Sequence, residues 1–165
     1  MVEPIVHPGT PGALRPGSDW RSRVEPVCRA WYGTPFRDKG QVKGVNGGVD
    51  CCTFIICVAA ELGLIPFFVP AYYSQSMPIN EHGDRYMNTV KSYCRELAKG
   101  EEWLPGDVLF FHLPGAASSG HAAIYLGNGR VAHADWRDGV REDTLQRTLF
   151  RRFSGAYRFR EDHGA

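Results

Sequence analysis

Long apolar runs are missing from this chain. No stretch approaches the roughly 18 residues that a membrane-spanning helix needs. An excess of charge of one sign is missing as well: 19 basic against 18 acidic residues leave a formal net charge of +1. No overall field therefore draws the protein to nucleic acid or to an anionic membrane. The five cysteines are an odd number with no repeated spacing, which argues against a disulfide framework. There is no internal repeat and no low-complexity tract. What remains is an ordinary globular composition, 43% hydrophobic and 22% charged, over 165 residues. That length suits one domain with a real core.

The opening MVEPIVHPGTPGALRPGSDW has neither a basic head nor the roughly 7–15-residue apolar stretch of a secretory signal. Residues 1–20 are expected to form an extended arm, 21–160 a single domain and 161–165 a tail. The expected place of synthesis is the cytoplasm, without export by the general secretory route. A basic run from Arg147 to Arg160 reads as a solvated strand face.

Residues 21–32 form a candidate helix stopped by Gly33. Asp38 to Gly48 is a loop rich in glycine and polar residues, and Cys51 to Leu62 reads as a buried helix ended by Gly63. Three prolines break the segment that follows. Residues 84–99 return to helical spacing at Tyr86, Val90, Tyr93 and Leu97. From Leu104 onward come short β segments: VLFFHL, HAAIYLG, RVAHADW, VRED and AYRFR. Helices followed by an antiparallel sheet make an α+β fold.

Two adjacent cysteines, Cys51 and Cys52, stand where the glycine loop gives way to the buried helix. Neighbouring cysteines close a disulfide only in a strained ring, so that bridge is set aside. A helix N-terminus lowers a thiol pKa through its free N–H groups, which makes Cys51 the candidate nucleophile. Cys52 lies about 100° further round the helix and cannot share that role. Cys28, Cys57 and Cys94 read as buried small hydrophobes.

A cysteine nucleophile needs a base, and the base needs an orienting partner. His7, His82 and His163 fall in loops or termini, whereas His112, His121 and His133 fall on strands. His121 and His133 flank a hairpin signal at Gly127-Asn128-Gly129. A two-residue Asn128-Gly129 turn would send the two histidines to opposite faces. A three-residue loop with Gly129 as a left-handed bulge would put them on one face as diagonal neighbours, roughly 7–8 Å apart or less at Cβ. Zinc is the rival chemistry for Cys51, Cys52, His121 and His133. Adjacent cysteines chelate one ion poorly from a helix start, and no CxxC or HxxxH spacing occurs, so neither metal nor cofactor is expected.

Four blocks occur in order: Gly33-Thr34-Pro35-Phe36; Asp50-Cys51-Cys52-Thr53-Phe54-Ile55; Leu104-Pro105-Gly106-Asp107-Val108-Leu109-Phe110-Phe111; and His121-Ala122-Ala123-Ile124-Tyr125-Leu126-Gly127-Asn128-Gly129 followed by His133-Ala134. Together they resemble the NlpC-type papain-like cysteine peptidases that cut peptidoglycan stem peptides. The likeness covers about residues 22–160. RDKGQVKG and the closing SGAYRF look most like the phage-tail and gene-transfer-agent branch. The resemblance implies a papain-like fold, with Cys51 as nucleophile, His121 as general base and His133 as the polar residue orienting it. It implies a substrate cleft at Asp50, Phe36 and Cys52, and a peptide substrate cut at the γ-D-glutamyl–diamino-acid bond. It also implies delivery to the cell wall on a phage-like tail, with tail proteins as partners. Phe36 stands where many relatives have tyrosine, and Cys52-Thr53 replaces the usual small pair. An inactive tail component that keeps the fold for assembly is the alternative. The segment Leu64–Gly100 is longer than compact relatives use, and part of it is expected to border the cleft, with Tyr72 or Tyr73 partly exposed.

Overall fold

The computed structural model describes residues 19–69, 88–112 and 119–161. Nearly all of the expected N-terminal arm, the tail from 162, and both Tyr72 and Tyr73 lie outside the described residues.

The glycine loop turns into a helix because Asp50 caps it. The Asp50 side chain accepts from the backbone N–H groups of Cys52 and Thr53, while the Thr53 hydroxyl accepts from the Asp50 N–H, a reciprocal capping box. Helix α2 then runs Cys51–Glu61, and Gly63 at φ 75 ends it. It follows a 3₁₀ turn (Trp20–Arg23), helix α1 (Val24–Arg29) and a small two-stranded sheet of β1 (Gln41–Val42) and β2 (Gly48–Val49). Gly47 is required by closeness, since a Cβ there would lie 2.0 Å from the Val42 carbonyl oxygen.

The main sheet has six antiparallel strands in the order β3-β8-β4-β5-β6-β7. Their ranges are β3 Cys94–Glu96, β4 Val108–His112, β5 Ser119–Gly127, β6 Arg130–Asp135, β7 Gly139–Thr144 and β8 Phe153–Phe159, with a short helix α3 (Arg147–Phe150) before the last. The fold is α+β, as expected. Alternation along the strands makes two cores. On one face Val108, Phe110, Ala122, Ile124, Ala132 and Ala134 pack under Phe54, Ile55 and Val58 of α2. The other face gathers Leu109, Phe111, Ala123 and Val131 with Trp103, Tyr125 and Phe153.

Two expectations need correction. The helical spacing over 84–99 does not hold to its end: residues 88–92 are helical, but Cys94–Glu96 is a strand paired with β8, Cys94 opposite Phe159. Cys94 faces the first core and Leu97 belongs to the second. The apolar spacing thus marks a chain crossing between two cores. Pairing with the β8 edge satisfies the backbone there, and helix propensity is a weak term beside it. The basic run is also not wholly a solvated face. Arg158 donates from Nε and Nη2 to the two oxygens of Asp107, at 2.9 and 2.8 Å.

Asp107 is fully buried and also accepts from the Leu104 N–H at 2.8 Å. It fixes the turn that starts β4, and its own carbonyl accepts from the Tyr125 N–H on β5. Truncating Asp107 removes two charge-assisted hydrogen bonds from Arg158, which keeps Glu101 and the Glu102 carbonyl, and leaves the Leu104 N–H without its acceptor, a change that costs about 1.5–3 kcal/mol. Asp107→Ala should therefore lower the denaturant midpoint by that much stability, whereas an exposed control, Asp138→Ala, should change it little. Equal midpoints for the two variants would rule out this structural role.

Candidate active site

The hairpin that carries both histidines differs in its turn from the expectation and agrees with it in the result. Asn128 and Gly129 have φ of 52 and 71, and Gly127 pairs with Arg130, so the turn has two residues. A bulge at Leu126–Gly127, with Gly127 at φ 96, then shifts the register to Ile124↔Ala132. That is the register the three-residue loop was expected to set. The extra residue of a bulge exchanges the faces of everything beyond it, which cancels the effect of the shorter turn. His121 and His133 consequently share the sheet face of Ala123 and Val131. Their rings stand 5.0 Å apart between centroids, and His121 Nε2 lies 2.7 Å from His133 Nδ1.

Cys51 approaches the same place from the helix side. The pairing of β5 with β6 runs from Gly127↔Arg130 to Ile124↔Ala132, and no partner on β6 is recorded for Gly120 to Ala123. The Cys51 sulfur lies against this length of β5. Sγ is 3.9 Å from the Gly120 carbonyl, and the Ala122 N–H hydrogen-bonds toward it. These two residues bracket His121 in the chain. Cys51 is half-buried, while Cys28, Cys52, Cys57 and Cys94 are buried.

The remaining sequence candidates are placed as follows. Phe36 is half-buried and bridges in parallel to Val49, two residues before Cys51. The Arg37 N–H donates to the Val49 carbonyl and the Val49 N–H to the Pro35 carbonyl. Asp50 does not open onto a cleft. It is buried, its Oδ1 takes the Cys52 and Thr53 N–H groups, and its Oδ2 takes the Lys39 N–H at 2.8 Å. Cys52 packs in the core. Both therefore shape the site from behind. Phe68, from the segment expected to border the cleft, stacks on Tyr93 against the core. Among the described residues, no group of three or more His, Cys, Asp or Glu side chains is placed to hold a metal ion.

Sequence reasoning missed Asp143. Its Oδ2 lies 3.5 Å from His133 Nε2 and 3.0 Å from Nη2 of Arg141, which faces His133 across the β6–β7 ladder. Arg141 also reaches Asp135 at 3.2 Å. The alternation of Arg141 and Asp143 on one strand face was the available signal.

The chain belongs to the NlpC/P60 family. The family model matches residues 33–158, and the family comprises cysteine peptidoglycan hydrolases together with some non-catalytic members. The chain is 25% identical over 124 residues, 75% of its own length and 68% of the other, to the probable endopeptidase NlpC of Escherichia coli K12. An NlpC/P60 family protein of Bacillus cereus superposes with a TM-score of 0.59 at 21% identity, over 89% of this chain but only 41% of that one. RipD of Mycobacterium tuberculosis, described as a non-catalytic NlpC/p60 domain protein adapted to peptidoglycan binding, superposes with a TM-score of 0.53 at 17% identity, over 87% and 98% of the two chains.

The electrostatics correct one expectation about the thiol. Burial pushes Cys51 up to about 12, the Asp50 charge adds to that, and the N–H groups of Ala122, Cys51 and Cys52 pull the other way. The helix end is less activating than its position implies because Asp50 occupies two of its N–H groups and puts a negative charge beside the sulfur. Burial also lowers His121 to about 3, with His133 adding to the effect, and it lowers His133 against the pull of Asp143 and Asp135. These directions favour the neutral forms of the thiol and of both imidazoles.

Asp50→Asn keeps the oxygen that caps Cys52 and Thr53, gives up the Lys39 N–H contact and removes the charge, so the Cys51 pKa should fall. Iodoacetamide should then label Cys51 faster at neutral pH than in wild type, and before the other four thiols in both proteins. Unchanged labelling rates would show that the Asp50 charge does not reach the sulfur.

His121 titrates near 3 in the fold and at about 6.5 when unfolded, so the unfolded chain binds the proton first. The stability from the neutral ring is fully present above about 6.5 and is lost as pH falls toward 3. Between pH 7 and 5 the melting temperature of wild type should fall more steeply than that of His121→Asn. Parallel slopes would contradict the buried neutral state.

Proposed function

We propose that this protein is a cysteine peptidase that hydrolyses an amide bond in peptidoglycan stem peptides, with Cys51 as nucleophile, His121 as general base and His133 as the residue that orients it. The observations that carry this reading are the 2.7 Å contact between the histidines and the Cys51 sulfur against Gly120 and Ala122, the residues on either side of His121, at a capped helix start. His121 Nε2 is committed to His133, so Nδ1 is the nitrogen left to take the thiol proton. As sulfur attacks the carbonyl carbon, that proton passes to His121. The imidazolium then gives it to the leaving amine, and water releases the acyl group from the thioester. The Cys51 backbone N–H is the oxyanion donor this chain offers.

The bond we assign is γ-D-glutamyl–diamino acid, and the setting is the cell wall, reached on a phage-like tail with tail proteins as partners. Purified muropeptides, analysed by mass spectrometry, test the activity and the bond together. Wild type should release the two halves of the stem peptide and Cys51→Ala should release none. Phe36 lies beside the nucleophile segment without a hydroxyl, and one oxyanion donor is worth about 10²–10³ in rate. Phe36→Tyr should accordingly hold or raise kcat, and a tenfold fall would contradict this placement.

The raised Cys51 thiol and the missing hydroxyl at Phe36 favour a second reading. In it the chain keeps the family fold as a non-catalytic component of a tail. Binding of muropeptides without cleavage, by wild type and Cys51→Ala alike, would select that reading.

A further inference from the structure

The contact between His121 Nε2 and His133 Nδ1 holds one proton, and there are two ways to place it. With the proton on His121 Nε2, His133 Nδ1 is the acceptor, His133 carries its own proton on Nε2, and His121 Nδ1 is bare. With the proton on His133 Nδ1, both remaining states reverse: His133 Nε2 is bare, and His121 carries its proton on Nδ1 and offers the thiol no lone pair. The 2.7 Å geometry is the same in both. Something outside the pair must choose.

His133 Nε2 is a buried nitrogen without a well-formed hydrogen bond. The charged group nearest to it is the Asp143 carboxylate, with Oδ2 at 3.5 Å. A bare Nε2 lone pair would face that oxygen unfavourably, whereas an Nε2–H is attracted to it. Arg141 Nη2 grips the same oxygen at 3.0 Å, and Asp135 holds Arg141 at 3.2 Å, with the Asp135 side chain itself accepting the Arg137 N–H at 2.8 Å. The charged groups facing His133 are therefore Asp143 and Arg141 on β7 and Asp135 on its own strand, with His121 on β5.

We propose that Asp143, braced by Arg141, is a positioning residue that keeps the proton of His133 on Nε2, so that His121 donates from Nε2 and stays bare at Nδ1, the nitrogen that must receive the Cys51 proton. This rests on the reading of the site as a peptidase. Asp143 touches neither the thiol nor the scissile bond. It acts through the tautomer of His133, which sets the tautomer of His121. In the reaction the His121 ring gains and loses one proton at Nδ1 while its Nε2–H bond persists.

The test separates this proposal from the peptidase reading because its first readout needs no activity. Protein labelled with ¹⁵N at histidine, studied by long-range ¹H–¹⁵N correlation at neutral pH, reports which ring nitrogens carry protons. Wild type should show the Nε2–H tautomer at both His121 and His133. In Asp143→Ala the carboxylate is gone and the Arg141 guanidinium is the charged group left on that side, which favours a bare Nε2, so His133 should move toward Nδ1–H and His121 should follow. A wild type with the proton on His133 Nδ1, or a variant with unchanged tautomers, overturns the proposal. In muropeptide hydrolysis Asp143→Ala should lose kcat by about 10–100-fold with little change in KM. That is less than the roughly 10⁴ a fully buried orienting carboxylate is worth, because Asp143 is partly exposed. Asp143→Glu should recover part of the loss. Loss of wild-type cleavage together with the expected tautomers would instead count against the peptidase reading alone.

Discussion

The Asp50 carboxylate is the group on which the rest of the site depends. It starts α2 by taking the Cys52 and Thr53 N–H groups, and it ties that start to the preceding loop by taking the Lys39 N–H. Both oxygens are used, and the residue is buried. Such a cap is worth about 0.5–2 kcal/mol, which is modest. Its geometric consequence is larger, because α2 is apolar on nearly every side and the cap decides which turn comes first. The sulfur of Cys51 is thereby placed at the helix mouth and not one residue into the core, where Cys52 lies.

The second constraint is a separation in the sheet. Strand β5 stays paired with β4 down to His112↔Ser119, while its ladder with β6 ends at Ile124↔Ala132. Helix α2 packs on one face, and the two histidines stand on the other. A fully paired sheet would divide them. The unpaired length of β5 exposes the Gly120 carbonyl and the Ala122 N–H toward Cys51, so the nucleophile meets the backbone that carries its base. The bulge at Leu126–Gly127 belongs to the same design, since without it His121 would turn toward α2.

Much of this was legible in the chain because the signals are local. The helix period and Gly63 bounded α2, strand alternation separated two cores, and the paired histidines followed from one hairpin. What escaped the sequence depends on distant pairing. Cys94–Glu96 looks helical until β8 is beside it. The position of the bulge is set by how β5 and β6 fit their other neighbours, so the register was expected correctly for a wrong turn. Asp143 closes the short candidate strand VRED, and only the β6–β7 register puts it beside His133. Asp50 was legible differently from how it was read: aspartate three residues before threonine at a helix start is a capping pattern, and its polar side chain was spoken for.

The charges at the site pose a problem that the fold itself must solve. Burial raises the thiol and lowers both histidines, so a standing thiolate–imidazolium pair is disfavoured. On the proposed peptidase reading a bound carbonyl changes this balance, because negative charge then leaves the sulfur for an oxygen beside the Cys51 N–H while positive charge stays on His121. That division of charge is stabilised by fixed dipoles that do not have to reorganise. A neutral resting pair also leaves the thiol less open to oxidation or stray alkylation than a thiolate would be. On the proposed peptidase reading, activation is coupled to the arrival of substrate, and the histidine relay matters more to the first step than the acidity of the free thiol.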